Sequence, residues 1–277
     1  MGILSQARFI CSLLFILTAL GGCVDWSKQK PTPETAQRAL RLRGIEYNEK
    51  AFFETVTLGD VWAVNAFLAA GMNPNVRNEN EETALMVASV RGDVAVIKAL
   101  LAGGSDLNAV DKDGRTALLR ALYQEQDEAS KILLDRKADV NVQDREGQSA
   151  LIVAVWKKPQ LVPVLLEKGA NVNAQDTDGD TSLMRAAAYN RVEITRDFLA
   201  RGADPNLKNS HNWTPLIYAA ANGHEEIVRA LLDRGADVSV RDYKGRTARM
   251  LALEGKHTGI VNLLRDAEAG KKVDRQS

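Results

Sequence analysis

The sequence predicts an all-α solenoid of stacked helix–turn–helix units joined by hairpin loops. Three observations predict it. A Thr/Ser-x-Leu element returns at Thr83, Thr116, Ser149, Thr181, Thr214 and, degenerately, Thr247, with spacings of 33, 33, 32, 33 and 33 residues. A paired apolar site follows each one: Leu100-Leu101, Leu133-Leu134, Leu165-Leu166, Phe198-Leu199, Leu231-Leu232 and Leu263-Leu264. A Gly-Ala-Asp-Val-Asn-like turn closes the units, as at Gly169 to Asn173 and Gly202 to Asn206, with Lys137 in place of Gly in one copy. A fixed period of this length marks a repeat array in which each unit buries its apolar face only by stacking on its neighbours.

Each element of the repeat has a physical reading. The Thr or Ser hydroxyl caps the first helix. Apolar periodicity from there to the Leu pair suits two short antiparallel helices. Glycine after the second helix supplies the left-handed residue that ends it. Asp-x-x-Gly, at Asp111, Asp144, Asp176 and Asp242, makes the tight tip of a hairpin-like loop. These residues together resemble the ankyrin repeat, and the resemblance covers residues 50–266 in about seven units with atypical ends. It implies a protein partner met by the hairpin tips and the exposed side of the first helix. The family often has His after the Leu of its Thr-Pro-Leu motif; here Met86, Leu119, Ile152, Met184 and Ile217 stand there, so apolar packing replaces an inter-loop hydrogen-bond network.

The repeat beginning at Ser149 is a residue short and carries Pro159 and Pro163. Pro159 falls in the first turn of the second helix, where proline is tolerated. Pro163 falls a turn later and predicts a local kink.

The amino-terminal region is of another kind. Residues 1–22 have a short cationic start, an apolar run from Phe9 to Ala19 and small residues at the end, the pattern of a secretory signal. The run is short of the about 20 apolar residues that span a bilayer. Leu20-Gly21-Gly22-Cys23 resembles the lipobox of bacterial lipoproteins, which implies acylation of Cys23 and a membrane anchor. The other cysteine, Cys11, lies in the segment that would be removed, so no disulfide is expected. Residues 23–32 read as a polar tether. Residues 33–49 read as an N-terminal capping helix and linker, opened by Thr32-Pro33-Glu34 and stopped at Gly44. Residues 267–277 read as a disordered tail. Val24 after the Cys favours the outer over the inner membrane of a bacterial envelope, with the chain facing the periplasm and monomeric.

Composition excludes some classes of function. The 36 basic and 36 acidic residues balance and form no cationic stripe, so no nucleic-acid partner is expected. His211, His224 and His257 are not spaced as helical metal ligands, and no metal or cofactor is expected. No nucleophile–histidine pattern and no phosphate-binding glycine loop appears, so the chain reads as non-enzymatic. The regular acids Asp111, Asp144, Asp176 and Asp242 read as turn chemistry.

Aromatic residues make up 5% of the chain, so their placement carries information. Seven residues after the Thr/Ser stand Val90, Tyr123, Trp156, Ala188 and Ala221, with Tyr189 one further along. Trp213 and Arg115 adjoin the Thr, and Arg145, His211 and Tyr243 stand at hairpin tips. The expected partner-binding residues are therefore Tyr123, Trp156, Tyr189, Trp213, Tyr243, Arg115 and Arg145, residue types that concentrate binding energy at interfaces. The function expected is protein binding at the envelope: assisting, protecting or inhibiting an envelope protein, toxin immunity included. A tethered scaffold with several partners or peptidoglycan contact is the alternative.

Overall fold

A computed structural model describes residues 31–270, which contain fifteen α-helices and no strand. The signal segment, Cys23, most of the tether and residues 271–277 of the expected tail lie outside the described residues. The helices fall into two compact units that divide after Asn73.

The first unit holds α1 (Pro33–Leu42), α2 (Glu49–Leu58) and α3 (Val61–Ala69). Thr32 caps α1 through its hydroxyl, and Gly44 follows it in the left-handed region at φ 71°. Helices α1 and α2 both pack on α3. Phe52 and Phe67 are fully buried with ring centroids 5.4 Å apart, and Tyr47 stacks on Phe67 while donating its hydroxyl to Ala70 O at 3.1 Å.

The second unit holds six helix pairs: α4 (Ala84–Arg91) with α5 (Val94–Ala102), α6 (Ala117–Tyr123) with α7 (Asp127–Asp135), α8 (Ala150–Lys157) with α9 (Val162–Glu167), α10 (Ser182–Ala188) with α11 (Val192–Ala200), α12 (Pro215–Asn222) with α13 (Glu225–Asp233), and α14 (Ala248–Glu254) with α15 (Thr258–Glu268). Thr83, Thr116, Ser149, Thr181, Thr214 and Thr247 each accept a bond from the backbone N–H three residues on. That N–H belongs to Met86, Leu119, Ile152, Met184, Ile217 or Met250, and the first five side chains are buried where the next first helix packs. Leu100, Leu133, Leu165, Phe198 and Leu231 fill the seam between the helices of each pair and are wholly buried. In the last pair the corresponding residue is Leu264. Helix α15 runs to Glu268, two residues past the expected end of the array, and Glu268 there pairs with Arg249 at 2.9 Å.

The short repeat shows where its missing residue belongs. The turn between paired helices elsewhere holds a left-handed residue: Gly92, Glu125, Asn190, Gly223 or Lys256. Between Trp156 and Pro159 no residue has positive φ, so the deletion falls on this turn. Residues Pro159–Leu161 form a single 3-10 turn, and α9 begins only at Val162, six residues long against nine in α7 and α11. Pro163 has no N–H to give to Pro159 O, and the bond from Val162 N–H takes that carbonyl instead. The expected kink is thus a late start of the helix. As a result α9 packs less against the second helices on either side than those do elsewhere.

An asparagine ladder ties the loops together. Asn75, Asn141, Asn173 and Asn206 each donate an amide N–H to the glycine carbonyl of the next repeat's turn, at 3.1 to 3.4 Å. Each also accepts the backbone N–H of Asp106, Asn171, Asp204 or Asp237 in that turn, at 2.7 to 2.9 Å. Asn108 accepts from Asp139 N–H in the same way, and Ser239 stands where the next asparagine would be. Apolar packing replaces the family's histidine network, and this ladder links the loops.

Candidate functional site

The face on which a partner is expected is built from hairpin tips and first helices, and its polar core is made by the tip carboxylates. Asp111, Asp144, Asp176 and Asp242 each accept two backbone N–H bonds through Oδ1, from the residues two and four positions on, at 2.8 to 3.1 Å. Asn78 and Asn209 do the same at their own tips. An amide fills the place without loss, so the acids are turn residues. Among the described residues no group of His, Cys, Asp and Glu is placed to hold a metal.

The second oxygen of these buried acids meets donors from the tips and the first helices. Asp144 Oδ2 accepts from Tyr123 Oη at 3.0 Å and from Arg115 Nε at 3.3 Å. Asp176 Oδ2 accepts from Gln148 Nε2 at 2.8 Å and Arg185 Nη2 at 2.9 Å. Asp180 binds the same Arg185 nitrogen at 3.3 Å, Asn209 Nδ2 at 2.7 Å and Tyr218 Oη at 3.1 Å. Asp111 lies 3.0 Å from Arg120 Nε, and Arg120 also pairs with Glu82. Sequence reasoning missed Arg120, Arg185 and Tyr218. Their common signal is a polar side chain four residues after the cap, in the middle of an otherwise apolar helix.

These contacts set the titration of the face. Burial pushes the Tyr123 and Tyr218 phenols up, and the adjacent Asp144 and Asp180 carboxylates push them further. Burial would raise Asp242, but the backbone N–H and guanidinium of Arg246 outweigh it and hold the carboxyl below its ordinary range.

The expected binding residues differ in their surroundings. Tyr123 and Arg115 are half-buried and face each other, the guanidinium 4.7 Å from the ring centre, both tied to Asp144 across a repeat boundary. Trp156 and Tyr189 are 39% and 48% exposed on neighbouring repeats. The counterpart of Trp156 on the next repeat is the small Ala188, so the indole stands beside a step in the surface. Trp213 is half-buried with its ring 4.8 Å from that of Tyr218. Tyr243 is 61% exposed with the His211 ring 5.7 Å away. Arg145 is exposed, and its backbone N–H donates to Asp113 O at 2.9 Å. Among the described residues no ring contact joins Trp156 to Tyr123 or Tyr189.

The remaining histidines link repeats. His224 Nε2 lies 3.2 Å from Ala188 O and His257 Nε2 lies 3.3 Å from Ala221 O, where Gln126 Nε2 makes the same contact with Val90 O. A family model described as Ankyrin repeats (3 copies) matches residues 52–144, 96–176, 128–209 and 183–277. The chain is an ankyrin-repeat protein. No curated protein matches it. Ankyrin-repeat proteins are typically non-enzymatic binding modules, and the array here is a protein-binding module. In this ankyrin array the hairpin tips and first helices form one braced surface, with buried acids at its base and aromatic and basic side chains on top.

Proposed function

We propose that this ankyrin-repeat protein is held at a bacterial envelope membrane by lipid on Cys23 and captures an envelope protein on the face centred at Trp156. The observation that carries the binding face is the exposed indole of Trp156 on a helix otherwise buried from Ala150 to Val155. A large rigid ring placed beside Ala188 gives contact area at low entropic cost, with Tyr189 flanking it. Tyr123 and Arg115, already committed to Asp144, support this anchor by stiffening the neighbouring tip. The lipid reading is supported by Leu20-Gly21-Gly22-Cys23 behind an apolar signal, with Cys11 as the only other cysteine. Among the described residues no helix is long and apolar enough to cross a membrane. Acylation with more than one chain anchors stably. The captured protein is one that the array assists, protects or inhibits, a toxin neutralised by its immunity protein included, and the outer membrane is the favoured site.

The test has two arms. Palmitate labelling in a bacterial host is expected to depend on Cys23 and vanish in Cys23→Ser; labelling that survives sinks the anchor. Capture of the membrane partner by the Cys23→Ser chain is expected to weaken about thirtyfold or more in Trp156→Ala, a hot-spot loss of roughly 2 kcal/mol. A folded Trp156→Ala chain that captures as well as the parent removes the indole from the interface.

A further inference from the structure

Successive hairpin tips are joined by backbone bonds into one rail. Arg145 N–H donates to Asp113 O, Thr177 N–H to Glu146 O, Ser210 N–H to Asp178 O and Tyr243 N–H to His211 O, at 2.8 to 3.3 Å. Charge is segregated along this rail. At the tip of residues 175–180 Asp176 and Asp180 are buried on Arg185, and the exposed charge is the carboxylate of Asp178. The next two tips, residues 208–213 and 241–246, have one carboxylate, Asp242, which is buried and held by Arg246 at 2.8 Å. Arg241 and Lys244 are exposed there and form no ion pair among the described residues. Lys208 is exposed beside them, within the field of Asp237. The exposed ring of Tyr243 has Lys244 Nζ 5.4 Å from its centre and the His211 ring 5.7 Å away.

From this arrangement we infer that the last two hairpin tips form a docking surface for a short acidic peptide segment carrying an aromatic side chain. Its carboxylates meet Arg241 and Lys244, and its ring packs on Tyr243 and His211. Arginine and lysine offer charge-assisted bonds to carboxylates, and exposed aromatics next to cations add both contact area and ring–cation attraction. The adjoining tip decides the length of the anionic stretch. Asp178 is bonded through the rail to the tip that holds His211, so a long polyanion continuing along the rail meets like charge. A nucleic acid or an anionic membrane presents such a continuous anionic surface, whereas a protein segment with acids at one end fits the reversal of sign. The inference rests on the reading of the array as a protein-binding module and names the chemistry of what it binds at this end.

The test is fluorescence anisotropy of the full chain with a short synthetic peptide of Glu and Asp around one Tyr, beside its Lys/Arg counterpart. The acidic peptide is expected to bind and to weaken steeply with salt, the basic one to bind at least about tenfold more weakly. Arg241→Glu with Lys244→Glu is expected to lower affinity about tenfold or more, and Tyr243→Ala to do likewise. The charge-conserving pair Arg241→Lys with Lys244→Arg is expected to restore binding. Equal binding of both peptides, or a folded charge-reversed chain that binds the acidic peptide as the parent does, overturns the inference. So does binding only to phosphatidylglycerol vesicles or only to oligodeoxythymidine. Loss of partner capture in Trp156→Ala with no acidic-peptide binding by the parent overturns this inference alone. Unchanged capture in Trp156→Ala with peptide binding lost on charge reversal supports this inference and overturns the Trp156 face.

Discussion

The Tyr123 hydroxyl donates to the Asp144 carboxylate at 3.0 Å, joining the last turn of one first helix to the hairpin tip of the next repeat. Asp144 is buried, so an oxygen left without this donor keeps its desolvation penalty. Tyr123→Phe keeps the ring and removes the bond. It is expected to lower unfolding free energy by about 1–3 kcal/mol. Urea denaturation checks this; an unchanged midpoint shows that Arg115 alone neutralises Asp144.

Stability is expected to fall at both ends of the pH scale. Tyr123 and Tyr218 titrate above the ordinary value of 10.0 in the folded chain because of burial and their neighbouring carboxylates. Their contribution is complete below that value and lost as pH rises beyond it, since the unfolded chain releases the protons first. Asp242 behaves oppositely. Its carboxyl is depressed, so its contribution is complete above 3.8 and lost as pH falls further. Glu82, depressed by Asn78 and Arg120 bonds that outweigh its burial, adds to the acid limb. Melting temperature against pH is the measurement. Tyr123→Phe with Tyr218→Phe should flatten the alkaline limb and leave the acid limb alone.

Gly147 is fixed by two constraints at once. Its φ is 72°, and a Cβ there would stand 2.7 Å from Asp176 Cα in the next tip. Left-handed strain alone costs about 1–2 kcal/mol for a residue with a side chain. Gly147→Ala is therefore expected to destabilise by at least about that amount, because the obstructing atoms are backbone. Thermal melts that match the parent would mean the rail moves apart freely.

Leu133 lies wholly buried on α7, in the second of the six helix pairs. Leu133→Ala is expected to cost about 2–5 kcal/mol. Because coupling runs only between nearest neighbours, hydrogen exchange should show the loss spreading to the adjoining repeats before distant ones. Uniform loss of protection across all six pairs would contradict this.

The irregular repeat is open to repair. Inserting Asn between Lys157 and Lys158 returns the left-handed residue, and Pro163→Ala returns a backbone donor for Pro159 O. Together they are expected to lengthen the second helix by about one turn. Backbone chemical shifts over residues 158–163 report it directly, and shifts that stay non-helical would place the cause elsewhere.

The fold was legible because its signals repeat. One Thr cap is weak, but six at a fixed period locate every first helix of the second unit, and all six cap as expected. The kink was legible only as a position. That the deletion lies in the inter-helix turn depends on which residue has positive φ, and Glu125, Asn190 and Lys256 hide that as well as glycine reveals it. The binding face was legible less evenly. Counting seven from the Thr found Tyr123 and Trp156 together, yet one turns to a carboxylate and the other stays exposed. The difference arises on the neighbouring tip: Asp144 accepts the phenol of Tyr123, whereas Asp176, the equivalent acid one repeat on from Trp156, accepts from Gln148 and Arg185. Arg120, Arg185 and Tyr218 escaped notice because their partners lie 29 to 38 residues from one another in sequence or in the tip that precedes them.

The asparagine ladder has a consequence for how such an array changes over time. A side-chain amide can give to a carbonyl and take from an N–H at once, so each rung couples one neighbour to the next without using any core volume. Replacing a rung with Asp removes the donating half of the coupling and leaves the packed helices alone, while Ser239 at the end of the series bonds Asp237 of its own turn instead. The strength of communication between adjacent repeats is therefore adjustable one residue at a time, separately from whether each repeat folds.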